Sequence, residues 1–135
     1  MKEIALDYGD VRIGIATSDA LGMLASGLET YTRKTEEEDI THIVRLIEQY
    51  NIDAVIIGLP INMDGTMGHR AEVTKQFGEK LSHYTTAKII YQDERLSSVE
   101  AEEILIGRDM RREKRKQVID QLAAAIILQS YLDKF

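Results

Sequence analysis

Apolar positions along the chain fall into short blocks, and their spacing changes as the chain proceeds. Two runs rich in branched apolar residues, Ile4 to Leu6 and Ile13 to Ala16, flank the turn Tyr8-Gly9-Asp10 and predict a β-hairpin over residues 3–18. A third strand over about 26–32 completes an antiparallel meander. The period then lengthens. Ile40, Ile43, Val44 and Ile47 recur at i, i+3, i+4 and i+7, so an amphipathic helix runs to about Tyr50. Thr35 and Glu38 have capping-box spacing at its start, and Asn51 is a natural stop. Asp53 to Gly58 is continuously apolar, the habit of a central parallel strand buried on both faces. A Gly-rich loop from Leu59 to Gly68, with the only Pro, leads into a helix over 69–82 that carries Val73, Phe77 and Leu81 on one face. Lys88 to Tyr91 predicts a fifth strand, with Gln92-Asp93-Glu94-Arg95 at its end. Ser97 and Glu100 repeat the capping-box spacing for a helix to about Ile106. After a basic connecting segment, residues 117–133 form the last helix, strongly apolar from Leu122 to Leu128.

The order is β-β-β-α-β-α-β-α-α. Strands joined through helices pair in parallel, while the opening meander is antiparallel. The economical architecture is an α/β fold: a mixed five-stranded sheet with helices on both faces, in the order of the ribonuclease H-like fold. The 135 residues suffice for one domain, 1–135, with a substantial core. There is no Cys, which excludes disulfides, thiolate metal sites and a thiol nucleophile. No apolar run reaches the ~18 residues of a membrane span, and the chain enters a strand without the basic region of a signal peptide. A cytoplasmic protein with no membrane partner is expected. The net charge of −6 argues against indiscriminate nucleic-acid binding, but residues 108–116 alone carry six basic and two acidic side chains. That run is either a solvated connector or a place for phosphates.

Three acids stand out by position. Asp7 ends the first strand, Glu94 lies just beyond the fifth, and Asp120 sits near the start of the last helix among apolar residues. Strands one, four and five are neighbours in the expected sheet, so their carboxyl ends converge, where open α/β sheets place ligands. For Asp120 to join them, the last helix must pack beside the first strand, and the small side chains Ala123 to Ala125 permit that approach. Three crowded carboxylates repel unless cations neutralise them. Oxygen ligands without His or Cys favour Mg²⁺ or Mn²⁺. Two such ions could activate water and steady the leaving oxygen in phosphodiester cleavage. Simpler readings stand beside this one. Asp7 can open the turn, Glu94 can pair with Arg95 or Arg12, and Asp120 can complement a helix dipole.

Four blocks carry a resemblance that spans essentially the whole chain. They are Asp7-x-Gly9-x-x-Arg12-Ile13-Gly14-x-Ala16-x-Ser18-Asp19; Gly58-Leu59-Pro60 with Asn62 and Asp64-Gly65; Asp93-Glu94-Arg95-x-Ser97-Ser98-x-x-Ala101; and Asp120-x-x-Ala123-Ala124-x-Ile126-Ile127-Leu128-Gln129-x-Tyr131-Leu132. Together they resemble the YqgF family of ribonuclease H-like proteins, described as Holliday junction resolvases and as pre-16S rRNA nucleases. The resemblance implies metal-binding, catalytic carboxylates at Asp7, Glu94 and Asp120. It departs from the pattern before Asp120, where Gln117-Val118-Ile119 stands and the nearest basic residue is Lys116.

Supporting residues follow from chemistry. Arg12 and Arg95 suit bidentate contacts to phosphate, or else hold an acid in place. Asn62 in the Gly-rich loop and Arg111, Arg112, Lys114 and Lys116 in the basic segment are candidate substrate contacts. Tyr8 is the best candidate for stacking on a base. His42 and His83 read as helix-surface residues, and His69 as a surface residue beside the loop. Nothing supplies partners for a serine triad, and zinc spacing is absent. The resulting expectation is a Mg²⁺- or Mn²⁺-dependent nuclease on structured RNA that processes pre-16S ribosomal RNA, with pre-ribosomal particles among its partners. The same chemistry on branched DNA would require a homodimer rather than a monomer. A silent RNA- or ribosome-binding module is the non-enzymatic alternative. Asp7-x-Gly9 before a hairpin also resembles the phosphate turn of actin-like ATPases and sugar kinases, which need two such domains.

Overall fold

A computed structural model of the protein describes residues 1–62, 64–93 and 112–134. The hairpin is present as β1 (Glu3–Tyr8) and β2 (Arg12–Ser18), and β3 (Ala25–Thr32) completes the meander. Helix α1 (Glu36–Gln49) begins as its sequence dictates, with Thr35 Oγ1 accepting the Glu38 N–H at 3.1 Å. Just past its end, Asn51 takes the left-handed conformation, φ 53°. Strand β4 (Ala54–Leu59) is buried throughout, α2 spans His69–Ser82, and β5 spans Lys88–Asp93. The helix expected over Ser97 to Ile106 lies outside the described residues. The last helix, α3, spans Arg112–Leu132.

Two boundaries differ from expectation. Gln92 and Asp93 extend β5 because they continue the parallel ladder against Gly58 and Leu59. Helix α3 starts at Arg112, five residues ahead of the expected Gln117, so the latter part of the basic segment is helix and not connector. Arg, Glu, Lys and Gln are good helix formers, and no Gly or Pro interrupts the run into the apolar part.

The sheet order is β3-β2-β1-β4-β5, with β1, β4 and β5 parallel. Side chains alternate across it. Ile4, Leu6, Ile13 and Ile15 face Ile40, Ile43 and Ile47 of α1 and Phe77 and Leu81 of α2. The opposite face presents smaller residues, Ala5, Ala16 and Ala54 with Ile56, to Ala124, Ile127 and Leu128 of α3. Small side chains let that helix lie close. At Gly14 there is no room for a side chain at all: a Cβ there would run into the Asp120 carbonyl and stand 2.9 Å from the Asp120 Cβ. At Gly27 an added Cβ would stand 3.0 Å from the Cβ of Gln121. Among the described residues, no helix is long and apolar enough to cross a membrane.

Gly14→Ala should therefore lower stability by about 1–3 kcal/mol, the usual cost of overpacking, in urea unfolding. Unaltered stability would mean that α3 is not seated on β2.

Candidate active site

Asp7 stands in β1 directly opposite Gly14 of β2, and residues paired in this way project to the same face of a sheet. That face is the one α3 covers. Asp120 reaches it from above, over Gly14. A cross-strand neighbour's Cβ is about 5 Å away, so the β-carbons of Asp7 and Asp120 lie within roughly 8 Å of one another. The structure thus brings together two of the three candidate acids, from opposite ends of the chain. Both are half-buried. Asp120 lies more than two turns inside α3, so it is no first-turn acid complementing the helix dipole.

Arg12, two residues before Gly14 in β2, also belongs to this face. Its Nε donates to Asp120 Oδ2 at 2.7 Å. Of the two roles considered for Arg12, holding an acid is the one seen, and the acid is Asp120. Strand β5 runs parallel to β1 and β4 and ends at Asp93, one residue before Glu94. Glu94, Arg95 and Arg111 lie outside the described residues. Arg112, Lys114 and Lys116 occupy the opening turns of α3, ahead of Asp120. No group of three His, Cys, Asp or Glu side chains is placed to hold a metal among the described residues. The donor set they do provide, two carboxylates with no nitrogen or sulfur ligand, has the chemistry of a hard divalent ion such as Mg²⁺ or Mn²⁺.

Asn62 is exposed on the loop after β4, whose form is fixed by its own hydrogen bonds. The Asn62 N–H donates to the Thr66 carbonyl at 2.9 Å, and its Nδ2 to Thr66 Oγ1 at 3.0 Å. The Thr66 N–H in turn donates to Asp64 Oδ1 at 2.9 Å. Gly65 takes a φ of +88°, which a side chain would resist.

The turn after Asp7 is held by two arginines that sequence reasoning missed. Arg33, just beyond β3, donates Nη1 to the Gly9 carbonyl at 3.1 Å and Nε to Asp39 Oδ2 at 3.0 Å. Arg70 of α2 donates Nη2 to the Tyr8 carbonyl at 2.7 Å and pairs with Asp10. Asp39 is fully buried and also accepts the Lys34 N–H at 2.8 Å. In the sequence it reads as one of several acids in the first turn of α1, and nothing there marks its burial.

Tyr8 cannot offer a base a stacking surface. It is 5 % exposed, stacks on Phe77 at 4.2 Å, and lies under the Arg33 guanidinium at 4.5 Å. Burial pushes its phenol above the ordinary tyrosine range, with Arg33 opposing, so it stays neutral near pH 7. His42 is likewise no free surface residue: it stacks on Tyr31 at 4.2 Å, and its Nε2 lies 2.7 Å from Glu29 Oε1. Ser18 is buried and donates to Glu3 Oε2 at 2.9 Å, and Asp19 accepts the Met23 N–H at 2.8 Å, which holds its carboxyl below the usual range. Both are structural. His69 is exposed at the start of α2.

The architecture is that of a ribonuclease H-like α/β protein. The chain superimposes on RuvC of T. thermophilus in complex with Holliday junction substrate with a TM-score of 0.62, at 14% identity, covering 99% of this chain and 94% of that one. The Fowlpox virus resolvase in complex with Holliday junction DNA gives 0.59 at 15% identity, covering 99% and 98%. At such identity the likeness is one of fold. The sequence profile of the family described as "RuvX: Holliday junction resolvase" matches residues 1–134, and the chain belongs to this RuvX (YqgF) family. Similar proteins named "Putative pre-16S rRNA nuclease" occur in Halothermothrix orenii, 52% identical over 98% of this chain and 95% of the relative, and in Carboxydothermus hydrogenoformans, 47% identical over 98% and 96%.

Replacing Arg33 by Ala would take from the buried Asp39 carboxylate its charged partner, leaving it the Lys34 N–H. Stability should fall by about 3 kcal/mol, the low end for breaking a buried ion pair, because Arg33 is partly exposed. Thermal unfolding of the variant measures this.

Proposed function

We propose that the protein is a divalent-metal-dependent nuclease acting on structured nucleic acid, and that its task is the processing of pre-16S ribosomal RNA in the cytoplasm. The observation that carries this reading is the meeting of Asp7 and Asp120 on the α3 face of the sheet, at the end where the parallel strands terminate. Family membership and the names of the similar proteins support the substrate.

In this reading Asp7, Glu94 and Asp120 hold Mg²⁺ or Mn²⁺. The ions, when bound, supply an activated water and charge stabilisation for the leaving oxygen of a phosphodiester. The chain's own groups do the rest. A cation held between the carboxylates would offset their mutual repulsion. Arg12 and Arg95 contact the phosphate to be cut, and Asn62 approaches the strand from the loop after β4. Arg111, Arg112, Lys114 and Lys116 neutralise phosphates further along, which fixes the register of the substrate without reading its sequence.

The family's description favours a second reading, cleavage of Holliday junctions by the same chemistry. Cutting paired strands requires two symmetric sites and hence a homodimer. A strict monomer in sedimentation would exclude it.

Incubation of wild type and Asp120→Asn with precursor 16S rRNA and with a four-way DNA junction, in Mn²⁺, tests the proposal. Cleavage of the precursor should fall by ~10² or more in Asp7→Asn, Glu94→Gln and Asp120→Asn, the loss typical of removing a key electrostatic group. Chelation should abolish it. Full cleavage by Asp7→Asn would remove Asp7 from the catalytic set, and binding without cleavage by the wild type would leave only a binding module. Neutralising Arg111, Arg112 and Lys114 together should weaken RNA binding and flatten its salt dependence. An unchanged salt slope would remove that segment from the interface.

A further inference from the structure

The Arg12–Asp120 pair has a consequence for how an ion enters. The partners are not equally enclosed. The Arg12 side chain is 40% exposed, with solvent on its open side, whereas that of Asp120 is 20% exposed. Asp120 is also fixed at its root, because its backbone is wedged against Gly14 where no Cβ intervenes. Of the two, the arginine is the group free to swing.

Resting on the metal-dependent reading above, we propose that Arg12 is an internal competitor for the metal ion: it occupies Asp120 while no metal is bound, yields the carboxylate to the ion, and is thereby released toward the phosphate. A divalent ion carries twice the charge of a guanidinium and binds several oxygens at once, so it wins the carboxylate. The displaced guanidinium keeps a planar fork that matches a phosphate. Metal binding and nucleic-acid binding are then coupled, and the coupling is reciprocal. Arg12 is a positioning residue toward the metal, with its phosphate contact made only after release.

Isothermal titration of the full chain with Mn²⁺, comparing wild type, Arg12→Gln, Arg12→Lys and Asp120→Asn, tests the exchange. Arg12→Gln should bind Mn²⁺ about two- to fivefold more tightly, the factor that an exposed ion pair is worth. Arg12→Lys, which keeps the competing charge, should stay near wild type. A merely structural arginine predicts the opposite sign, since its loss would disorder Asp120 and weaken the metal. Unchanged or weaker Mn²⁺ binding by Arg12→Gln overturns the proposal and leaves the metal site standing. Unaltered Mn²⁺ binding by Asp120→Asn overturns both. In the wild-type protein, the Arg12 ¹⁵Nε–H resonance should shift and exchange faster with water as Mg²⁺ is added. A resonance indifferent to saturating Mg²⁺ excludes the exchange independently of any variant.

Discussion

The architecture depends on the place where a helix meets a strand with nothing in between. Gly14 has no side chain, and the Asp120 backbone fills the space one would have taken. Close packing turns this into a strong constraint, since interiors neither compress nor leave gaps. It fixes the depth of α3 over the sheet, and with it the height of Asp120 above Asp7. The alanines on both sides of the interface extend the close contact along the helix, so the acid is set by a whole packed layer and not by one contact.

The two faces of the sheet divide the work. The face toward α1 and α2 carries the large branched residues and Phe77, and supplies most of the apolar burial that stabilises the fold. The face toward α3 carries small residues and the acids. Stability lodged on one side leaves the other free to tolerate a charged cluster that would otherwise be costly. The turn after Asp7 links the two. Its carbonyls are held by Arg33 and Arg70, whose guanidinium groups both lie near the ring of Tyr8. A core residue thus anchors the loop that follows a candidate ligand, and support of this kind is what functional groups need to keep their geometry.

Much of this was legible in the sequence. Hydrophobic period gave the strands and helices, and the capping residues Thr35 and Asn51 gave the ends of α1. The convergence of Asp7 and Asp120 followed from strand order plus a helix with small residues. Gly14, the closest contact, stood in plain view within a motif, but a glycine's lack of a side chain says nothing about which helix will use the space. Arg33 and Asp39 were not legible, because a charge run at a helix start looks the same whether one member is buried or all are solvated. Tyr8 and His42 were misread for a related reason: an aromatic or imidazole next to polar residues shows its neighbours in sequence, not those in space. Helix α3 starts ahead of its apolar period because the helix propensity of Arg, Lys and Glu outweighs the connector-like look of a charge run. The role of Glu94 rests on sequence position and family pattern.

That early start of α3 has an electrostatic meaning. The segment 108–116 carries +4 in a chain whose total is −6, so the remainder bears −10. Its latter residues sit at the end of a helix whose own dipole is also positive, and the sign of the field is therefore concentrated at one pole. Such a charge distribution exerts a torque on any approaching polyanion. In the proposed role on nucleic acid, the acidic remainder of the chain repels the substrate while the helix start attracts it, so its approach is oriented before any base or sugar is touched.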